Sequence, residues 1–151
     1  MKKVSEIGGL LKKIYRLYSN DLLSQLQSRG FIDLRPSFLE ILMYICENEG
    51  PSIKEIGLAC GLKKQTMTSH LNELEKRGYI NRNPSEKDRR ELRVSLTPYG
   101  EKFKFALIEV TNDLEQEYLK SIGEVELDRI LMTLENFHQR IKFEDQQAML
   151  I

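Results

Sequence analysis

A glycine between two short amphipathic segments is the feature that most limits how this chain can fold. Residues 52–55, Ser-Ile-Lys-Glu, have the spacing of a capping box, in which side chains accept hydrogen bonds at a helix start. The helical pattern runs to Cys60, and Gly61 supplies the left-handed backbone of a sharp turn. A second helix is predicted over residues 63–77 and ends at Gly78. This order predicts a helix-turn-helix.

A basic loop between two strand patterns follows the second helix. Tyr79-Ile80 precedes the polar run of residues 83–90, and the alternation of residues 91–96 is typical of a strand. A guanidinium at the tip of such a hairpin can enter a DNA minor groove, where the field of both backbones is concentrated. Asp88 lies two residues before Arg90 and is placed to hold it by a charge-assisted bond. The sequence therefore predicts a basic β-hairpin wing.

The second helix of the pair has two unlike faces. Met67, Leu71 and Leu74 share one side, and the other side carries short polar groups. Such groups suit base edges in a major groove, since Gln and Asn can pair bidentately with adenine, while the helix start suits phosphate. A polar face alone is also typical of a solvated helix, but the preceding turn and the following basic loop favour DNA. The predicted DNA-binding residues are Lys63, Lys64, Gln65, Thr66, Thr68, Ser69, Asn72, Asp88, Arg89 and Arg90.

Longer amphipathic helices are predicted on both sides of this lobe. One carries apolar residues from Ile7 to Leu22 and ends near Gly30, and Pro36 begins the next. Thr97-Pro98 is a strong helix start, and Ser121 or Gly123 opens a last helix. The expected fold is mainly α with a small β-hairpin wing, a winged helix-turn-helix with N- and C-terminal dimerisation helices.

Charge is segregated along a chain that has 23 basic and 23 acidic residues and no net charge. Residues 1–51 carry +1, residues 52–104 carry +5 and residues 105–151 carry −6. A basic middle with an acidic tail suits a molecule that turns one face toward phosphate. No apolar run is long enough for a membrane span, and the N-terminus lacks a signal core, so we expect a cytoplasmic protein without membrane contact.

Residues that would indicate chemistry are sparse. Cys46 and Cys60 have no metal-ligand spacing and fall in apolar helical patterns, so we expect buried structural thiols. His70 and His138 lie far apart. No local catalytic signature or phosphate-cradling glycine loop is present in the sequence, and we expect neither an enzyme nor a cofactor.

The stretch from Ile53 to Gly100 resembles the MarR family of bacterial transcriptional regulators. The matching residues are Leu62 to Ile80, which include the Leu-Glu-x-x-Gly ending of the recognition helix, then Arg82 and Asp88-Arg89-Arg90. Residues 94–100, Val-Ser-Leu-Thr-Pro-Tyr-Gly, match the family's Leu-Thr-x-x-Gly entry into the next helix. One departure is Lys63, which stands where the family often has a Ser or Thr cap.

The resemblance implies one domain over residues 1–151. Residues 1–34 and 105–151 would form the dimerisation helices, and residues 36–104 the DNA-binding lobe. It implies a homodimer that binds a pseudo-palindromic double-stranded DNA operator, as a repressor, with Arg90 in the minor groove and Asp88 bracing it. Thr66, Thr68 and Ser69 take contact positions. It also implies a small-molecule effector site between the dimerisation helices and the DNA-binding lobe. Five aromatic residues could line that site, although a plain core or interface position is the favoured interpretation for each: Tyr15, Tyr18, Phe38, Tyr44 and Phe103.

Two further expectations stand beside this interpretation. Apolar stripes at both chain ends, including Ala148-Met149-Leu150-Ile151, would stay partly exposed in a monomer and favour dimerisation. The alternative function is a winged-helix module that binds protein. Salt dependence distinguishes the two, because phosphate contacts weaken steeply with salt and an apolar interface does not.

Overall fold

The structure, a computed structural model, describes the backbone of residues 1–150 and the side chains of residues 1–142. Within them, no helix has the length and apolarity of a membrane span. The chain divides into two compact units, residues 1–111 and the part that begins at Asn112. The predicted mainly helical fold with one hairpin is confirmed. Its elements are α1 (Lys3–Ser28), α2 (Pro36–Glu47), α3 (Ile53–Cys60), α4 (Lys64–Lys76), β1 (Ile80–Pro84), β2 (Leu92–Leu96), α5 (Pro98–Ile122) and α6 (Glu124–Leu150).

The predicted helix starts are confirmed in their hydrogen bonds. Ser52 Oγ accepts from the backbone N–H of Glu55 at 3.1 Å, and Glu55 Oε2 accepts from the Ser52 N–H at 3.4 Å. Gly61 follows α3 with φ of 65°, the left-handed conformation that lets the chain turn directly into α4. Thr97 Oγ1 caps α5 by accepting from the Gly100 N–H at 3.0 Å.

The two strands form an antiparallel pair whose base is tied to the rest of the lobe. Ile80 pairs with Leu96, and Pro84 pairs with Leu92. The Val94 N–H donates to the Pro51 carbonyl at 2.9 Å, so the loop before α3 lies against β2. The sequence pattern places the first strand at Tyr79-Ile80 and begins the loop at Asn83. The strand instead continues to Pro84, where proline's missing N–H is tolerated at a strand end.

The core of the first unit lies between α2, the helix-turn-helix and the start of α5. Phe38, Leu71 and Phe103 are fully buried, as is Tyr79, which ends the turn after α4. The Tyr79 ring lies 5.0 Å from that of Tyr99 and 5.7 Å from that of Phe103. Each such side chain contributes about 1.5–3 kcal/mol by burial, so the aromatic cluster fixes α5 against the wing base.

The helices outside the lobe leave much apolar surface uncovered in a single chain. On α1, Leu10, Ile14 and Leu17 are each more than half exposed, whereas Leu22 and Leu26 are buried. In the second unit, α6 exposes Leu131 and other apolar residues, namely Val125, Ile130, Met132, Leu134 and Ile141. The apolar terminus at residues 148–151, which sequence analysis had singled out, lies outside the described side chains.

Candidate nucleic-acid interface

Helix α4 has the two faces that the sequence predicts. Met67, Leu71 and Leu74 are at most 1% exposed and hold the helix against the core. The candidate contact residues on the other side are all exposed: Lys63, Lys64, Gln65, Thr66, Thr68, Ser69 and Asn72. At about 100° per residue, Gln65, Ser69 and Asn72 follow one narrow line along the helix. The helix that carries these side chains is held in place because its opposite face is buried in the core.

The start of α4 is electropositive. Lys63 is the N-cap residue in extended conformation, and its side chain makes no capping hydrogen bond. The first turn therefore lacks the serine or threonine oxygen that usually accepts from such N–H groups. The positive end of the helix dipole then adds to the charges of Lys63 and Lys64. This departure from the usual cap leaves a helix start suited to an anion.

Two polar groups on α4 have their orientation fixed by neighbours. Thr68 Oγ1 donates to the Lys64 carbonyl at 2.9 Å, so its oxygen remains available as an acceptor. Asn72 Oδ1 accepts from Nη2 of Arg82 on β1 at 2.7 Å. The same guanidinium donates through Nε to Glu75 Oε2 at 2.6 Å. Arg82 is not among the DNA-binding residues predicted from the sequence, because a separation of ten residues between Arg82 and Asn72 indicates no contact.

The wing tip presents two exposed arginines, Arg89 and Arg90, on a closed loop. Asp88 Oδ1 accepts from the backbone N–H of Arg90 at 3.0 Å and from its Nε at 3.4 Å, the contact that the sequence predicts. The Arg90 side chain is nevertheless 94% exposed. Ser85 N–H donates to the Glu91 carbonyl at 2.8 Å and closes the loop. Arg89 is also exposed. Asp88 thus restrains the Arg90 stem while the cation stays open to solvent.

 The start of α4 and the wing tip border one groove. The groove has a volume of about 910 Å³. Lys64 and Thr68 line it from α4, and Asp88 and Arg90 line it from the wing. Lys54 of α3 adds a third basic side chain that sequence analysis missed. Four of the ten predicted site residues therefore meet at one concave surface.

The wing is braced against the helix-turn-helix by a second arginine. Arg93 of β2 donates through Nη1 to Glu55 Oε1 at 3.4 Å and to the Gly50 carbonyl at 3.2 Å. Glu55 is also the capping-box residue of α3. One carboxylate thus joins the start of α3 to the wing. No sequence pattern indicates this contact, because Arg93 lies 38 residues from Glu55.

The two cysteines differ from the sequence expectation of buried thiols. Both are half-buried, because each lies at the edge of its helix's packed face rather than in its centre. Burial raises the pKa of Cys46 to about 11, and Lys104 opposes that rise. Burial together with Glu40 raises the pKa of Cys60 to about 11. Both thiols are therefore protonated near neutral pH and poor nucleophiles.

The aromatic residues proposed for an effector site separate into two groups. Tyr15, Tyr18 and Tyr44 line a cleft of about 310 Å³ between α1, α2 and the end of α3. Phe38 and Phe103 do not line it, because both are fully buried in the core. For these two residues the core position that the sequence favoured is confirmed. Periodicity could not separate these positions, since a core aromatic and a cleft aromatic occupy the same helical face.

Comparison with known proteins places this geometry in a family. The MarR family profile matches residues 32–91. The regulator SarZ of Staphylococcus aureus, named an HTH-type transcriptional regulator, is 35% identical over 127 residues, which cover 83% of this chain and 79% of SarZ. Among the residues that the structure describes, no cluster of His, Cys, Asp or Glu could hold a metal ion.

Solved structures show the same fold at lower identity. FabT of Streptococcus pneumoniae, solved in complex with DNA, has a TM-score of 0.74 at 22% identity over 93% of this chain and 98% of FabT. PcaV of Streptomyces coelicolor, solved with its natural ligand, has a TM-score of 0.72 at 14% identity over 92% of this chain and 96% of PcaV. The chain belongs to the MarR family of winged helix-turn-helix transcriptional regulators.

Proposed function

We propose that the protein is a homodimeric repressor that binds a pseudo-palindromic DNA operator in the cytoplasm. The observation that carries this proposal is the groove shared by α4 and the wing, with Lys64 at one side and the exposed Arg90 at the other. A helix with short polar groups suits the major groove, and an exposed arginine at a hairpin tip suits the adjacent minor groove. Repression needs only occupancy of a promoter.

The uncovered apolar surface supports the dimer. Leu10, Ile14 and Leu17 of α1 would leave a stripe in water that soluble monomers rarely tolerate. A second copy of this chain would cover the stripe, because a two-fold axis pairs the same surface of both copies. Two winged motifs related by such an axis would address half-sites about one helical turn apart, which accounts for the proposed palindrome.

The cleft beside α1 is where we place a small-molecule effector. Its tyrosines, Tyr15 and Tyr18 on α1 and Tyr44 on α2, lie beside Ala59 and Cys60 at the end of α3. A ligand there would touch the first helix of the helix-turn-helix directly. The solved ligand complex of PcaV concerns that protein, but it supports looking for a ligand in this fold.

Selection of genomic DNA fragments by the purified protein tests the function. We expect a shared motif with two-fold symmetry, whose affinity falls steeply as salt rises. The rival protein-binding module would enrich no motif and would bind its partner with little salt dependence. Recovery of random fragments only would refute the proposal.

A further inference from the structure

The contact between β1 and the third turn of α4 bears on which base Asn72 reads. Arg82 is mostly buried, with 22% of its side chain exposed, and it reaches two residues of α4. Its Nη2 donates to Asn72 Oδ1 at 2.7 Å, and its Nε donates to Glu75 Oε2 at 2.6 Å. Glu75 thus holds the guanidinium in place while the guanidinium holds the Asn72 amide.

The chemistry of the guanidinium fixes which end of the amide it meets. Arginine carries five N–H donors and no acceptor, so only the oxygen of Asn72 can face it. Oδ1 is then turned toward the wing strand, and Nδ2 projects from the opposite side of the amide. Since Asn72 is exposed on the polar face of α4, the group it offers outward is a donor.

We propose that Arg82 is a positioning residue that makes Asn72 a donor-only reader of a purine N7. This inference rests on the proposed function. Bidentate pairing with adenine needs the amide oxygen to accept from the N6 amino group while Nδ2 donates to N7. Oδ1 keeps a second lone pair, but the bond from Arg82 turns this oxygen toward β1 and leaves Nδ2 as the group presented to the base edge, where it donates to N7. N7 is common to adenine and guanine, so the contacted position accepts either purine.

A double-mutant cycle tests the positioning role. Arg82→Met removes the donors at similar length, and Asn72→Ala removes the reader. Affinities for the selected operator and for a scrambled duplex are measured by titration. We expect Asn72→Ala to lower the operator preference about tenfold. Arg82→Met should lower it severalfold alone and not at all in the Asn72→Ala background. An equal loss in both backgrounds would show that Arg82 acts independently, for example on phosphate, and would overturn the proposal.

Base substitution tests the donor-only reading. Each purine of the operator is replaced in turn by its 7-deaza analogue, and each A·T pair by G·C with the purine strand kept. We expect one position per half-site where 7-deaza substitution costs the parent about tenfold but costs Asn72→Ala nothing. At that position, exchange of adenine and guanine should change parent affinity less than threefold. An adenine preference of tenfold that Asn72→Ala abolishes would overturn the proposal.

Two controls keep the outcome interpretable. Arg82→Lys retains a cation but not the planar guanidinium that serves both partners, so we expect it to lower the operator preference as Arg82→Met does. If circular dichroism shows that Arg82→Met is unfolded, Arg82→Lys takes its place in the cycle. Glu75→Gln weakens the hold on Arg82 without touching Asn72 and should show a smaller loss in the same direction. A parent protein without sequence preference would refute the proposed function as well, whereas an additive cycle on a well-bound operator refutes this inference alone.

Discussion

Asp88 holds Arg90 through a single oxygen, which accepts both the backbone N–H at 3.0 Å and Nε at 3.4 Å. Asp88 thus orients the guanidinium, while 94% of the Arg90 side chain remains exposed to solvent. An arginine restrained in this way loses less conformational entropy on binding DNA.

Arg90→Ala should therefore weaken binding to cognate and scrambled duplexes alike. Loss of one phosphate contact per half-site should flatten the salt slope by about one unit per contact. Arg129→Ala is a matched control, because Arg129 is also exposed and also pairs with a carboxylate, Glu126, at 3.5 Å. Titrations at several salt concentrations compare the two variants. If Arg90→Ala kept parent affinity and slope on both duplexes, the wing assignment would be wrong.

Substitutions at Gln65 and Ser69 should act differently from Arg90→Ala. Both side chains are exposed on the face opposite Leu71, so their removal leaves the core intact. We expect Gln65→Ala or Ser69→Ala to cost about 1–3 kcal/mol on the operator and little on scrambled DNA. Equal losses on both duplexes would indicate phosphate contact instead of base readout.

Gly100→Ala should destabilise the fold strongly. A Cβ there would lie 2.2 Å from the Tyr79 carbonyl oxygen and 3.0 Å from a Leu96 side-chain atom. The carbonyl cannot yield, because it accepts from the Thr97 N–H at 3.1 Å. We expect a loss of about 3 kcal/mol in urea unfolding. Gly57→Ala is the control: its Cβ would meet Met67 Cγ at 3.4 Å, an ordinary contact, and stability should change by less than about 1 kcal/mol.

The thiols should react slowly at neutral pH. Because the pKa of each is raised to about 11, alkylation by iodoacetamide should keep accelerating up to that pH, instead of levelling near 9 as in denaturant. The unfolded thiols ionise near pH 9 and the folded ones near pH 11, so the free energy of unfolding falls as pH rises from 9 to 11. Mass spectrometry follows the alkylation.

Replacing Cys46 and Cys60 should leave any peroxide response of DNA binding unchanged, and loss of a clear response would contradict a structural role.

Sedimentation should give about twice the chain mass at micromolar concentration. Leu10→Glu or Leu17→Glu should shift the protein toward monomer, because each places a charge in the exposed stripe of α1. Ile32→Glu is the control, since Ile32 is 75% exposed on the loop between α1 and α2. A well-folded parent monomer at that concentration would rule out the dimer.

Local patterns in the sequence predicted the helices and strands well, but they did not predict contacts between residues that lie far apart in the sequence. Ser52, Gly61 and Thr97 each act within one helical turn, so their roles could be read from spacing. The hold of Arg82 on Asn72 depends on how β1 packs against α4, which no local pattern encodes. The cysteines were misjudged for a related reason: periodicity identifies a packed face but not how deep its edge lies.

The base of the wing is fastened on two sides, at Val94 to the Pro51 carbonyl and at Thr97 to the Tyr79 carbonyl. Neither fastening involves residues 85–91 of the loop. Insertions or deletions in that loop would therefore alter how far the tip reaches without redirecting the strands. Evolution can lengthen or shorten such a wing as an independent part, and a protein engineer can do the same.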